Sequence, residues 1–277
     1  NLETLKYNIA YMRTIKPNLK KSDEVSECGL LSENFQKKGF NNYLVGELMK
    51  PELSDFVAYG GYNLSSLLNY FKDTLAVDAY KISEEFLLRL FISDAFVLQV
   101  DRNKYNIAFQ IPEIPGVSYK ERLHINKLID NKDAQDSLEY DSQRGIYLLK
   151  DFSPNVIYDS ERCLGIHRNE LTYRQNQIWC PAFPYNEELK FDNQEEAISK
   201  TYKDYDGIDP NLFSLYIDYQ EFCEPYFERL AYDDEYKKIL EEFSYSNSPV
   251  QLTDSELEYF NGILEDRQKE FQKILKM

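Results

Sequence analysis

Apolar residues at Leu2, Leu5, Ile9, Met12 and Ile15 recur every third or fourth position, which predicts a helix over residues 2–15 that Pro17 closes. The short apolar run CGLLSENF, 28–35, reads as a strand. GGYNLSSLLNYF, 60–71, reads as a glycine turn followed by a helix. EEFLLRLFISDAFVLQV, 84–100, predicts a second helix with Ser83 as its cap and Glu84 and Glu85 in the first turn. This helix is apolar on nearly every side from Phe86 to Val97, so it belongs in the centre of the molecule. IAFQI, 107–111, and GIYLLKDF, 145–152, read as partner strands, and the polar, proline-bearing stretch 112–144 between them reads as an inserted loop. Helices follow over 192–203, 210–230, 233–244 and 253–275. Asp209 before Pro210, and Thr253 three residues ahead of Glu256, are good helix starts. The pattern is α+β, mixed in its first half and helical in its last third.

Composition narrows the function. A chain of 277 residues with 23 Tyr and 17 Phe can bury a substantial core. Its net charge of −16 argues against a nucleic-acid partner, which demands a basic stripe. Cys28, Cys163, Cys180 and Cys223 form no C-x-x-C pair, and His124 and His167 are the only histidines, so a structural zinc site is not expected. The pattern fits free thiols in a reducing, cytoplasmic setting. No membrane-length apolar run and no leader-peptide pattern is present, so no membrane partner is expected.

The chemistry concentrates in FVLQVDRNKYNIAF, 96–109, where Asp101 and Asn106 separate two segments that both want burial. A surface turn is the plain explanation, since Asp and Asn are common turn formers. The alternative is a phosphoryl-transfer loop. There an aspartate orients the acceptor hydroxyl and takes its proton, an asparagine five positions on ligates Mg²⁺, and an acid across a hairpin supplies a second metal oxygen. The buried helix before the loop and the strand after it favour the catalytic alternative.

LFISDAFVLQVDRNKYNIAF resembles the catalytic segment of HipA-like serine/threonine kinases, in which D-R-H-x-x-N or D-D-H-x-x-N follows a long apolar helix. Phosphatidylinositol kinases share a similar loop. SPNVIYDSERCLG, 153–165, is similar to the family's AP-x-YDN-E-x-x-LG, which carries the metal-binding acid. CGLLSENF resembles the strand and hinge that touch adenine. NLETLKYNIA resembles the helix whose glutamate pairs with the ATP-binding lysine. The resemblance spans about residues 1–170 and leaves the C-terminal helices unaddressed.

Carried across, it implies a protein-kinase-like catalytic lobe, with residues 1–80 a remnant of the N-lobe and hinge and 81–277 a mainly helical C-lobe. It implies ATP and Mg²⁺ as cofactors, with Asp101 as the catalytic acid and Asn106 as a metal ligand. Asp159 is the preferred second metal ligand. Its rival is Asp151, because KDFS imitates the D-F-G of ordinary protein kinases. Glu3 becomes the lysine partner, and Glu33 to Phe35 the hinge, with Glu33 and Phe35 against the nucleotide. Asn103 stands where the family has histidine, and the segment joining Asn106 to Asp159 is longer than usual. The glycine-rich loop and strand lysine are expected before residue 1. The implied activity is transfer of the γ-phosphoryl group of ATP to a Ser or Thr hydroxyl of a protein substrate, in a toxin–antitoxin or effector setting. An N-terminal partner segment or an antitoxin is among the implied partners. The main alternative is a non-catalytic kinase-fold interaction module. A lipid kinase is disfavoured, because anionic membranes repel so acidic a chain.

Overall fold

In the computed structural model the described residues are 7–14, 25–32, 38–49, 62–117, 128–155, 163–164, 179–191, 196, 199–200, 204–245 and 252–277. The first elements are two antiparallel strands, β1 (Tyr7–Thr14) and β2 (Val25–Ser32), with Tyr7 opposite Ser32 and Thr14 opposite Val25. The expected strand at 28–35 is therefore found, slightly earlier than the sequence suggests. The expected helix over 2–15 is not: residues 7–14 are extended. Tyr7, Ile9 and Tyr11 alternate with smaller or polar residues, and this period of two prevails once a partner strand supplies the backbone hydrogen bonds.

A three-stranded antiparallel sheet carries the central loop. It runs β3 (Phe40–Leu44), β4 (Ala108–Pro112) and β7 (Ser153–Pro154), with β4 in the middle. A short helix, α1 (Val45–Leu48), follows β3 directly. The partners of β4 are thus β3 and β7, and the 145–152 segment expected to pair with it does not. Residues 146–149 form β6 (Ile146–Leu149), which pairs with β5 (Leu138–Asp141) inside the stretch expected to be loop. The cause is local. Asp141 Oδ1 accepts the N–H groups of Gln143 and Arg144 at 2.9 and 3.1 Å, and Gly145 adopts φ +68°, so the chain reverses tightly.

Helices α2 (Leu64–Thr74) and α3 (Val77–Phe96) are separated by two residues only. Asn63 caps α2 by accepting the Ser66 N–H at 2.8 Å. The helix α3 begins seven residues before the expected start, and Ser83 is buried within it instead of capping it. Its start is set by tertiary contact: Leu75 bridges Leu149, and the Ala76 N–H donates to the Leu149 carbonyl at 2.8 Å. The expected burial of this helix is observed over most of Leu87 to Phe96, although Ser93 is exposed and Arg89 only half-buried, so one face meets solvent. The rings of Phe71, Phe109 and Phe152 meet at centroid distances of 4.9–5.1 Å and join α2 to the underside of the sheet.

The C-terminal third is helical, as its pattern predicts: α4 (Pro210–Asp218), α5 (Gln220–Tyr232), α6 (Glu235–Tyr245) and α7 (Asp254–Leu275). Tyr219 breaks the single helix expected over 210–230 into two. Asp209 and Thr253 cap as expected, the latter in a reciprocal capping box with Glu256. Arg267 on α7 donates through Nε to the Ala95 carbonyl at 2.9 Å and pairs with Asp209 at 3.4 Å, so α7 is fastened to the end of the central helix. None of the described helices is long and apolar enough to cross a membrane.

Candidate active site

The loop of interest starts where α3 stops. Leu98 takes φ +52°, a left-handed conformation uncommon for a branched apolar residue, and the Gln99 N–H donates back to the Asp94 carbonyl at 2.8 Å. Leu98 is nonetheless buried in the core, and its burial opposes the strain of that backbone turn. The helix ends abruptly as a result, and the chain turns toward the sheet.

Elements distant in sequence then hold the loop's approach. Carbonyls of Val97, Gln99 and Val100 accept from the Leu164 N–H at 2.7 Å, the Trp179 Nε1–H at 2.9 Å and the Ala182 N–H at 3.1 Å. Trp179 is only 1% exposed, and it packs edge-on to Phe91 with ring centroids 4.6 Å apart. Leu164 belongs to the SPNVIYDSERCLG stretch, whereas Trp179 lies outside every motif read from the sequence. Trp179 is the single tryptophan of the chain, which was the one available signal. On the other side, the Gly46 and Val45 N–H groups donate to the carbonyls of Lys104 and Ile107 at 2.9 and 3.0 Å, joining α1 to the loop. A Cβ on Gly46 would lie 3.1 Å from both Lys104 Cγ and Tyr105 Cε1, so glycine permits this close approach.

Within the loop, Asp101 and Asn106 are brought together. Asn106 Nδ2 donates to the Asp101 carbonyl at 2.9 Å, and the Asn106 N–H donates to the Asn103 carbonyl at 2.9 Å. The first bond fixes which end of the amide faces the backbone, leaving Oδ1 with no hydrogen bond among the described residues. Asn103 stabilises the turn: its Oδ1 accepts the Tyr105 N–H at 2.9 Å, and its Nδ2 donates to the Asp101 carbonyl at 3.2 Å. An asparagine thus braces the loop where the resembled family uses histidine. Lys104 Nζ sits 3.7 Å from the centre of the Tyr62 ring. Beneath the loop, Arg102 and Asp94 form a buried, two-point ion pair. Burial pushes the Asp94 carboxyl up to about 6, although the Arg102 guanidinium pulls it the other way.

The sheet register decides what else arrives at this end. β7 runs antiparallel to β4, with Pro154 opposite Phe109, and the Asn155 N–H donates to the Ala108 carbonyl at 3.0 Å. Asn155 therefore lies at the loop end of β4. Asp151 is exposed at the other end of this strand, level with the end of β4, roughly 15–20 Å of extended chain from Asn106. Asp159, Glu3, Glu33 and Phe35 lie outside the described residues. A buried amide chain stiffens the three strands: Gln110 Nε2 donates to Asn155 Oδ1, and Asn155 Nδ2 to Asn42 Oδ1, both at 2.9 Å. Cys163 and Cys223 have thiols raised by burial, Cys223 to about 12, which suits packing and not nucleophilic attack.

No family model matches the sequence, and no curated protein does. Among solved structures, the chain is similar to the crystal structure of a Helicobacter pylori proinflammatory kinase, CtkA. The TM-score is 0.50 at 12% identity, over 99% of this chain and 76% of that one. The fold is kinase-like.

Proposed function

We propose that this chain is a HipA-like serine/threonine protein kinase that transfers the γ-phosphoryl group of ATP to a Ser or Thr hydroxyl of a protein substrate. The observation that carries the reading is the tether between Asn106 Nδ2 and the Asp101 carbonyl, in a loop set between a buried helix and the central strand of a kinase-like fold. In this reading Asp101 orients the acceptor hydroxyl and receives its proton as the new P–O bond forms. Asn106 and Asp159 hold Mg²⁺, which neutralises charge on the β- and γ-phosphates when bound. Asp159 is favoured over Asp151, because Asn155, four residues before Asp159, bonds to Ala108 at the loop end of β4, whereas Asp151 lies level with the far end of that strand. Asn106 suits the ligand role, as its amide nitrogen is occupied and, among the described residues, its oxygen accepts no hydrogen bond.

Mg²⁺-dependent phosphoryl transfer from ATP to protein, measured with radiolabelled nucleotide, tests this. Asp101→Ala should abolish transfer with little change in thermal stability, since the side chain is half-buried and outside the core. Asn106→Ala should weaken Mg²⁺·ATP binding more than metal-free ATP binding in calorimetry. Transfer by Asp101→Ala at the wild-type rate, or equal losses with and without metal, would refute the respective assignments.

A further inference from the structure

Between the two polar residues of the loop lies Arg102, whose guanidinium is turned away from solvent. Nε and Nη2 donate to Asp94 Oδ2 and Oδ1 at 2.9 and 3.1 Å, and Nη1 reaches the Asn106 carbonyl at 3.4 Å. Arg102 is 3% exposed and Asp94 5%. Withdrawing two such charges from water costs several kcal/mol per ion, and apolar pairs of equal volume are often as stable. Stability alone therefore gives a weak reason for this pair. The planar fork supplies something apolar groups do not: a fixed angle between the last turn of α3 and the residue that closes the loop.

We infer that Asp94 is a positioning residue for the loop: through Arg102 it sets the separation of Asp101 and Asn106. This rests on the kinase reading above. The fork is anchored at both ends of the five-residue interval, because Arg102 follows Asp101 directly and its third contact is to Asn106 itself. Asp94 in turn belongs to the buried face of α3, whose Ala95 carbonyl is further held by Arg267. The pair thus transmits the rigidity of the core to the loop, an arrangement in which small displacements of reacting groups are costly.

The paired variant Asp94→Leu with Arg102→Met separates this from a merely stabilising role. It should keep a thermal midpoint at or above that of wild type. Its kcat for protein phosphorylation should fall on the order of 100-fold while KM for ATP stays within about threefold. Amide exchange over residues 97–107 should quicken while α3 keeps its protection. A folded double variant with kcat within about threefold of wild type would overturn the inference. If wild type itself transfers no phosphate, the kinase reading fails and the loop is judged by exchange alone; unchanged exchange over 97–107 then overturns the positioning role. Should the double variant not fold, Arg102→Lys, which keeps the charge but loses the two-point fork, is judged by the same readouts.

Discussion

Trp179 illustrates how much of the loop's order comes from single side chains far along the chain. Its indole N–H meets the Gln99 carbonyl two residues before Asp101, and its ring packs on Phe91 of the central helix. Replacing it with Phe keeps an aromatic body but leaves that buried carbonyl without its donor. The expected cost is about 1–3 kcal/mol, read as a lowered urea midpoint at unchanged slope. A Trp179→Phe midpoint equal to wild type would show that the indole hydrogen bond adds nothing net to stability. Asn103 shows the complementary case of a residue that holds only its own turn. Its side-chain hydrogen bonds among the described residues reach only Asp101 and Tyr105, within the same loop.

At the scale of elements, the short connections are decisive. The helix α7 starts with a complete capping box, in which Thr253 and Glu256 satisfy one another's backbone N–H groups. Thr253→Ala should destabilise the protein by about 1 kcal/mol, within the usual range for a lost cap, and differential scanning calorimetry would detect it. A null result would mean that α7 is held by its buried face through Phe271 and Arg267 and not by its start. At the other end of the fold, α1 approaches the loop through Gly46. Gly46→Val should force Lys104 and Tyr105 aside and disturb the loop more than the fold, so the phosphoryl transfer proposed above should drop further than the thermal midpoint indicates.

For the whole molecule, the buried pair of Asp209 and Arg267 couples stability to pH. Burial raises the Asp209 carboxyl from 3.8 to about 6, against the opposing pull of Arg267. Between those values the folded state binds more protons at this site than the unfolded chain does. Its contribution to stability is thus greatest below about pH 4, declines as pH rises through about 6, and is constant above that. Two pH units correspond to about 3 kcal/mol. The stability of wild type relative to Asp209→Asn, from urea unfolding at several pH values, should therefore fall between pH 4 and 6. A difference that grows over this interval would contradict the assignment.

The amino-acid sequence determined the burial of most of residues 87–96, the helical C-terminal third with its caps at Asp209 and Thr253, and the D-x-x-x-x-N loop itself. These are local matters, fixed by periodicity and by side chains that bond to backbone three residues away. Where a segment satisfied two periods at once, the sequence did not choose. Residues 7–14 fit a helix through Ile9 and Met12 and a strand through Tyr7, Ile9 and Tyr11, and pairing with Val25–Ser32 selected the strand. Tertiary contact likewise moved the start of α3 to Val77, gave β4 its partner at Ser153–Pro154, and brought Leu164, Trp179 and Ala182 onto the carbonyls that precede Asp101. Those decisions belong to structure because a backbone carbonyl carries no sequence signature: which distant N–H satisfies it is settled only when the core has packed.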